Sequence, residues 1–118
     1  MQPLSVAACL FVALLLAGGQ VLFKYAAADI ARHAAAASWV VALMSPWLVA
    51  AVLVYGLSTV LWIAILTQEP LSRAYPFVLA GAVAVPAYAH FVFGEPISAK
   101  FWVGLALVSI GLLLTQIP

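Results

Sequence analysis

Gln20 and Lys24 stand one helical turn apart in "AGGQVLFKYA", residues 17–26, at the end of a run with almost no polarity. An amide and a cation in so apolar a setting can bind an anion, hold a neighbouring helix or anchor a helix end. At 100° per residue, Ala13, Ala17, Gln20, Lys24 and Ala27 fall on one narrow arc. Small residues let another helix approach closely, so polar groups on the same stripe point into a bundle and not at lipid. A lysine at the bilayer centre costs about 3 kcal/mol on insertion scales, and less near the edge, where the amine snorkels outward. Lys24 is therefore either an interfacial anchor or the partner of an anionic group, and the shared stripe speaks for the second. A second set of polar residues comprises Tyr55, Thr59 and Trp62, with Ser58 at the edge of their face. Their hydroxyls could equally bond back to the preceding turn. Arg73 and Tyr75 stand in "RAYPFV", while Tyr88 and His90 lie further along. A lone histidine there is either a proton relay or a structural residue at the interface.

The three carboxylates, Asp29, Glu69 and Glu95, fall in loops or at helix ends, and none has an obvious partner. The interior thus reads as basic with no acid to answer it. There is no Cys/His metal spacing, no nucleophile elbow and no glycine loop for phosphate. No catalytic residue, metal or cofactor is expected, and the chain does not read as an enzyme.

The elements that must hold these residues follow from composition. Of 118 residues, 69% are hydrophobic and only 6% charged, far too few to cover a globule in water. Lipid is the solvent for most of this surface. The net charge of +1 offers no field for nucleic acid. A spanning helix needs about twenty apolar residues, and four stretches qualify: about Leu4 to Lys24, continuing as helix to Ala31, then Pro46 to Thr67, Ala74 to Phe93, and Ile97 to Ile117. No fifth span fits, and the loops are too short to fold alone, so one all-α transmembrane domain is expected over residues 1–118. The stretch 29–45 is a loop followed by an early start to the second span, or a short interfacial helix anchored by Trp39. Pro76 suits a first helical turn, Gly81 and Pro86 invite a bend, and Gly94 suits a helix C-terminus. Gly104, Val108 and Gly111 share one face of the fourth span with Thr115. They make a flat groove for helix contact, and with only four spans that groove is expected to serve dimerisation.

Smaller signals add little. "VAAC" at 6–9 looks like a lipoprotein cleavage box, but no basic residue and no adequate apolar core precede it, so the first helix is expected to be retained. Cys9 reads as a small apolar residue. "QEPLSRA" and "GEPISAK" resemble each other, yet Glu-Pro also makes a good membrane exit. Positive-inside counting places the first and third loops, with Lys24, Arg32 and Lys100, in the cytoplasm, against Arg73 alone on the other side. So small a bias leaves dual topology open.

Four short spans, the first ending "GQVLFKYA", resemble the small members of the drug/metabolite transporter superfamily over essentially the whole chain. "VLWIAILTQEPLSRAYPFV" and "FGEPISAKFWVGLALVSIGLLL", with the Gly104/Gly111 spacing, are most similar to the small subunits of aminoarabinose–undecaprenyl-phosphate flippases. That resemblance implies a bundle like that of the small multidrug resistance proteins. It also implies two small subunits, identical or related, that pair to move a sugar-loaded polyprenyl phosphate across the bacterial inner membrane. On it, Lys24, with Arg73 or Arg32, would neutralise the phosphate, and Gln20, Tyr75, Tyr55 and Ser58 would bond the sugar. The small multidrug resistance branch is defined by a glutamate midway along its first helix; the corresponding residue here is Leu16, with no carboxylate at Leu14, Leu15 or Ala17. Its tryptophan after the third-helix tyrosine is also missing, since Pro76, Phe77 and Val78 follow Tyr75. Two further readings stay open: a small-molecule exporter whose carboxylate comes from a partner chain, and a non-transporting membrane subunit that stabilises a larger assembly.

Overall fold

A computed structural model of the chain describes residues 2–33 and 43–118. The stretch containing Trp39 lies outside the described residues. Five helices account for most of what is described: α1 (Pro3–His33), α2 (Pro46–Leu66), α3 (Leu71–Leu79), α4 (Gly81–Phe93) and α5 (Ala99–Gln116). α3 and α4 are the two halves of one apolar stretch, 71–93, so the described residues contain four helices long and apolar enough to cross a membrane. The chain is an all-α, four-span membrane protein. Only helices and closed barrels satisfy every backbone group inside lipid, which is why so apolar a sequence takes this form.

The helix ends follow from local chemistry. α1 is 31 residues long, about 46 Å at 1.5 Å per residue, against a hydrocarbon core of about 30 Å. Its last turns therefore overshoot the bilayer, where Asp29 and Arg32 pair at 3.7 Å in i,i+3 spacing. α2 starts with Pro46 at its first position, where a missing N–H costs nothing. Ser45 before it does not cap α2; its hydroxyl donates to Asp29 Oδ2 at 2.8 Å and ties the start of α2 to the end of α1. α2 closes with the Gln68 and Glu69 amides both returning to the Ile65 carbonyl at 3.0 Å.

The third span departs from expectation in two ways. It begins at Leu71 and not at Ala74, because Pro70 supplies an extended N-cap and helix follows at once. Arg73 therefore sits inside the first turn. The span is also irregular at Ala80, just before Gly81: the backbone stays helical there, but the Ala80 and Val83 amides bond three residues back, to Phe77 and Ala80. Pro76, one turn into α3, is accommodated without breaking that half. The fourth span starts at Ala99, two residues later than expected. Ser98 caps it, accepting the Phe101 amide at 3.2 Å.

α1 packs against α2, α3 and α4, whereas α5 touches only α3 and α4. The Cα envelope measures 55 × 38 × 17 Å. With helix axes about 8–10 Å apart, that is a slab roughly two helices deep. Its dry core lies at one end, where Cys9, Val12, Ile65 and Ala74 bury one another beneath Trp62, Leu66 and Phe77. Most large apolar side chains elsewhere face outward, as lipid-facing residues must.

Candidate functional site

The other end of the bundle carries the polarity. Gly19 makes room for it: a Cβ there would overlap the ring of Tyr55 from α2. Because Gly19 has none, the Tyr55 ring lies across α1, stacked on Phe23 with centroids 5.0 Å apart and planes at 27°. The phenol then meets the next turn. Gln20 Nε2 donates to the Tyr55 hydroxyl, and that hydroxyl reaches the Leu16 carbonyl at 3.4 Å. One glycine thus converts a helix contact into a positioned amide–phenol pair.

One turn further, Lys24 Nζ lies 3.5 Å from Glu95 Oε1. This corrects the expectation that no acid answers the basic stripe. The physical reason is the loop 94–98. Gly94 adopts a left-handed conformation, φ 69°, which ends α4. The Glu95 amide returns to the Ala89 carbonyl at 3.3 Å, and the His90 ring donates through Nδ1 to the Glu95 carbonyl at 2.8 Å. The backbone of Glu95 is held on both sides, and its carboxylate is turned back toward α1. His90 takes the structural role of the two weighed for it. Both charged side chains are about half exposed, 57% and 48%, so in isolation the pair is worth at most about 1 kcal/mol and exchanges readily.

Two neighbouring clefts lie along this side of α1. The upper one, about 340 Å³, lies between α1 and α4 and includes Gln20, Lys24, Tyr88, Phe93 and Glu95. The lower one, about 480 Å³, shares Gln20 and Val85 with it and adds Leu16, Tyr55, Gly81 and Pro86. Both volumes fall in the range of about 300–1,000 Å³ usual for small-molecule sites. The irregular turn of the third span borders the lower cleft through Val78, Gly81 and Ala82. Rings of Tyr25, Trp47 and Phe93 cluster at the upper level, 4.9 and 5.4 Å apart, and Tyr88 meets Phe93 at 5.7 Å. Such a belt marks the headgroup level of a membrane. Lys24 is thus interfacial in height yet lines an inter-helix cleft.

The expected site residues are divided by this geometry. Gln20, Lys24 and Tyr55 come together. Ser58 does not join them: it is buried, and its hydroxyl donates to the Val54 carbonyl of its own helix at 2.7 Å. Arg73 and Tyr75 flank Ala74, which packs beside Cys9. Cys9 is fifteen positions before Lys24, about 22 Å along α1, so Arg73 cannot share a ligand atom with Lys24. Arg32 is held by Asp29 in the overshooting end of α1. Gly104, Val108 and Gly111 are exposed, and nothing in the chain covers the two glycines. Among the described residues no group of His, Cys, Asp and Glu could hold a metal. The residues that sequence reading missed are Glu95 and Gly19. Glu95 had a signal in the GEPIS run, whose glycine and serine specify the turn and the cap around it.

Several proteins bearing the name "Probable 4-amino-4-deoxy-L-arabinose-phosphoundecaprenol flippase subunit ArnE" are similar to this chain. The Aeromonas hydrophila protein is 39% identical over 105 residues, 89% of this chain and 90% of that protein. The Pseudomonas aeruginosa protein is 37% identical over 92% of this chain and 94% of its own length. The chain belongs to this flippase-subunit family. With the Serratia proteamaculans member the match is 41% identical, covering 60% of this chain and only 62% of that protein, so it spans about three fifths of that relative. No family model and no solved structure matches the chain. The match to the Aeromonas family member is long enough to take in α2, α3 and α4 whole, and with them Tyr55, Glu95 and both clefts.

Proposed function

We propose that the chain is one half of a carrier for a lipid-linked sugar phosphate, of the 4-amino-4-deoxy-L-arabinose-phosphoundecaprenol type, between leaflets of the bacterial inner membrane. The observation that carries this reading is the placement of Lys24, Gln20 and Tyr55 along two adjacent clefts that share Gln20, one at the aromatic belt and one lined mostly by apolar residues. A polyprenyl phosphate already carries its headgroup at that level. Lys24 takes the phosphate there, with the amide and phenol bonding the sugar, while the tail stays in lipid beside the apolar wall of Leu16, Val78 and Val85. A slab two helices deep leaves the cleft open on one side. A second small subunit, identical or related, docks on the exposed Gly104–Val108–Gly111 face of α5. Arg73 and Tyr75, at the far end, act as the opposite mouth of the path. The chain has no role in chemistry on the lipid and is a transport subunit, not an enzyme.

The test replaces Lys24 with methionine, which keeps the length and apolar stem. Headgroup flipping is measured in proteoliposomes holding the chain with its partner subunit. A charge-assisted contact contributes about 1.5–3 kcal/mol, so the rate is expected to fall roughly ten- to a hundredfold. Unchanged flipping at normal protein levels would reject Lys24 as the phosphate's partner.

A further inference from the structure

We infer that Glu95 recognises the amine of the sugar, so that the Lys24–Glu95 pair is a selectivity element for a zwitterionic headgroup. This rests on the carrier reading above and deepens it. The two side chains pair with each other at 3.5 Å. A headgroup carrying both a phosphate and an ammonium exchanges partners with them: phosphate to Lys24, ammonium to Glu95. The exchange leaves both charges paired. It also needs little energy to begin, because the resident pair is open and weak.

Three features of the cleft suit a cation beside the anion site. The backbone of Glu95 is held by the Ala89 and His90 contacts, which fixes the point from which its carboxylate reaches the cleft. The rings of Tyr88 and Phe93 line the same cleft and offer aromatic surface to an ammonium. A cation already occupies the position, since the Lys24 amine stands where a substrate amine would. The same geometry acts against the wrong lipid. A polyprenyl phosphate without an amine brings its negative charge toward Lys24 and leaves Glu95 facing a like charge, a built-in penalty on the competitor.

The experiment compares two probes in proteoliposomes holding the full chain with its partner subunit. One is a polyprenyl-phosphate-linked 4-aminopentose; the other is the same lipid with a hydroxyl in place of the amine. The native chain is expected to move the amine probe at least about tenfold faster at limiting concentration. Glu95→Gln should bring the ratio of the two rates close to one, and Glu95→Asp should retain a preference. A native chain that moves both probes equally overturns the inference while leaving the carrier reading intact, and it does so whether or not the variants fold. A Glu95→Gln variant that loses both rates in proportion, keeping the ratio, also overturns it, because that is the signature of a residue needed only for structure. A native chain that moves neither probe defeats the carrier reading itself.

Discussion

α1 and α5 are both apolar, both able to span a membrane, and both carry a pair of glycines, yet the fold treats them in opposite ways. About a fifth of the apolar window of α1 is buried, 22%, against none of that of α5. In α1, Gly19 is filled by the Tyr55 ring, and the helix touches every other span except α5. In α5, Gly104 and Gly111 face open space. α5 is also the less apolar of the two, with a mean hydropathy of 1.5 against 2.4, so its exposure is not explained by a stronger affinity for lipid. Close approach across a glycine is what holds helices together where the hydrophobic effect gives no drive. α1 has used that device inside the chain, and α5 has kept it for something outside.

The sharpest way to break this contrast is Gly19→Ala. The added methyl overlaps the Tyr55 ring, which must leave its place against Gly19 and Phe23 of α1. Overpacking of this kind costs about 1–3 kcal/mol, only partly offset by the better helix propensity of alanine, which contributes up to about 1 kcal/mol. The Gln20–Tyr55 bond is lost with it. Unfolding in detergent is expected to occur at a lower temperature, and headgroup flipping should fall along with it. If both stay at native levels, the ring does not lie across α1, and the cleft described here is wrong.

Why Gly19 was illegible in the sequence is instructive. Hydropathy located four spans, and Pro46 and Gly94 marked a start and an end, because each of these depends only on a few adjacent residues. The site was half legible for the same reason: Gln20 and Lys24 share a face through simple helix periodicity. Tyr55 could be placed on a polar stripe, but its meeting with Gly19 depends on how two helices cross. Glu95 lies 71 positions from Lys24, and its return across the cleft depends on the order in which spans pack. Ser58 and Arg73 show the converse: they lie apart from Lys24. Residue type made them plausible ligands, while packing enclosed one within its own helix and carried the other to the far end.

A moderate effect is expected from replacing both Gly104 and Gly111 with leucine. Nothing within the chain contacts either position, so folding of the single chain should be unaffected. If α5 holds the second subunit, its close approach is blocked, and the dissociation constant of the pair should rise by about tenfold or more, each factor of ten being worth about 1.4 kcal/mol. Energy transfer between labelled chains in lipid nanodiscs measures this directly. An unchanged dissociation constant would move the subunit contact to another face and leave the exposure of α5 to lipid alone.

The smallest effect is the most diagnostic, because it compares neighbours. Gly18 precedes Gly19 in the same helix but points elsewhere, and a Cβ on it meets nothing within 4 Å. Gly18→Ala therefore gains helix propensity with no clash, and stability should hold or rise by at most about 1 kcal/mol. Set against Gly19→Ala, the pair separates the backbone cost of a glycine, which the two positions share, from the packing role that only Gly19 has. Equal losses at both positions would mean that the groove beside Gly18, walled by Ala84, Val85 and Tyr88, is filled in the working assembly. The second subunit would then sit against α1 as well as α5, and the opposition between the two helices would be a property of the isolated chain.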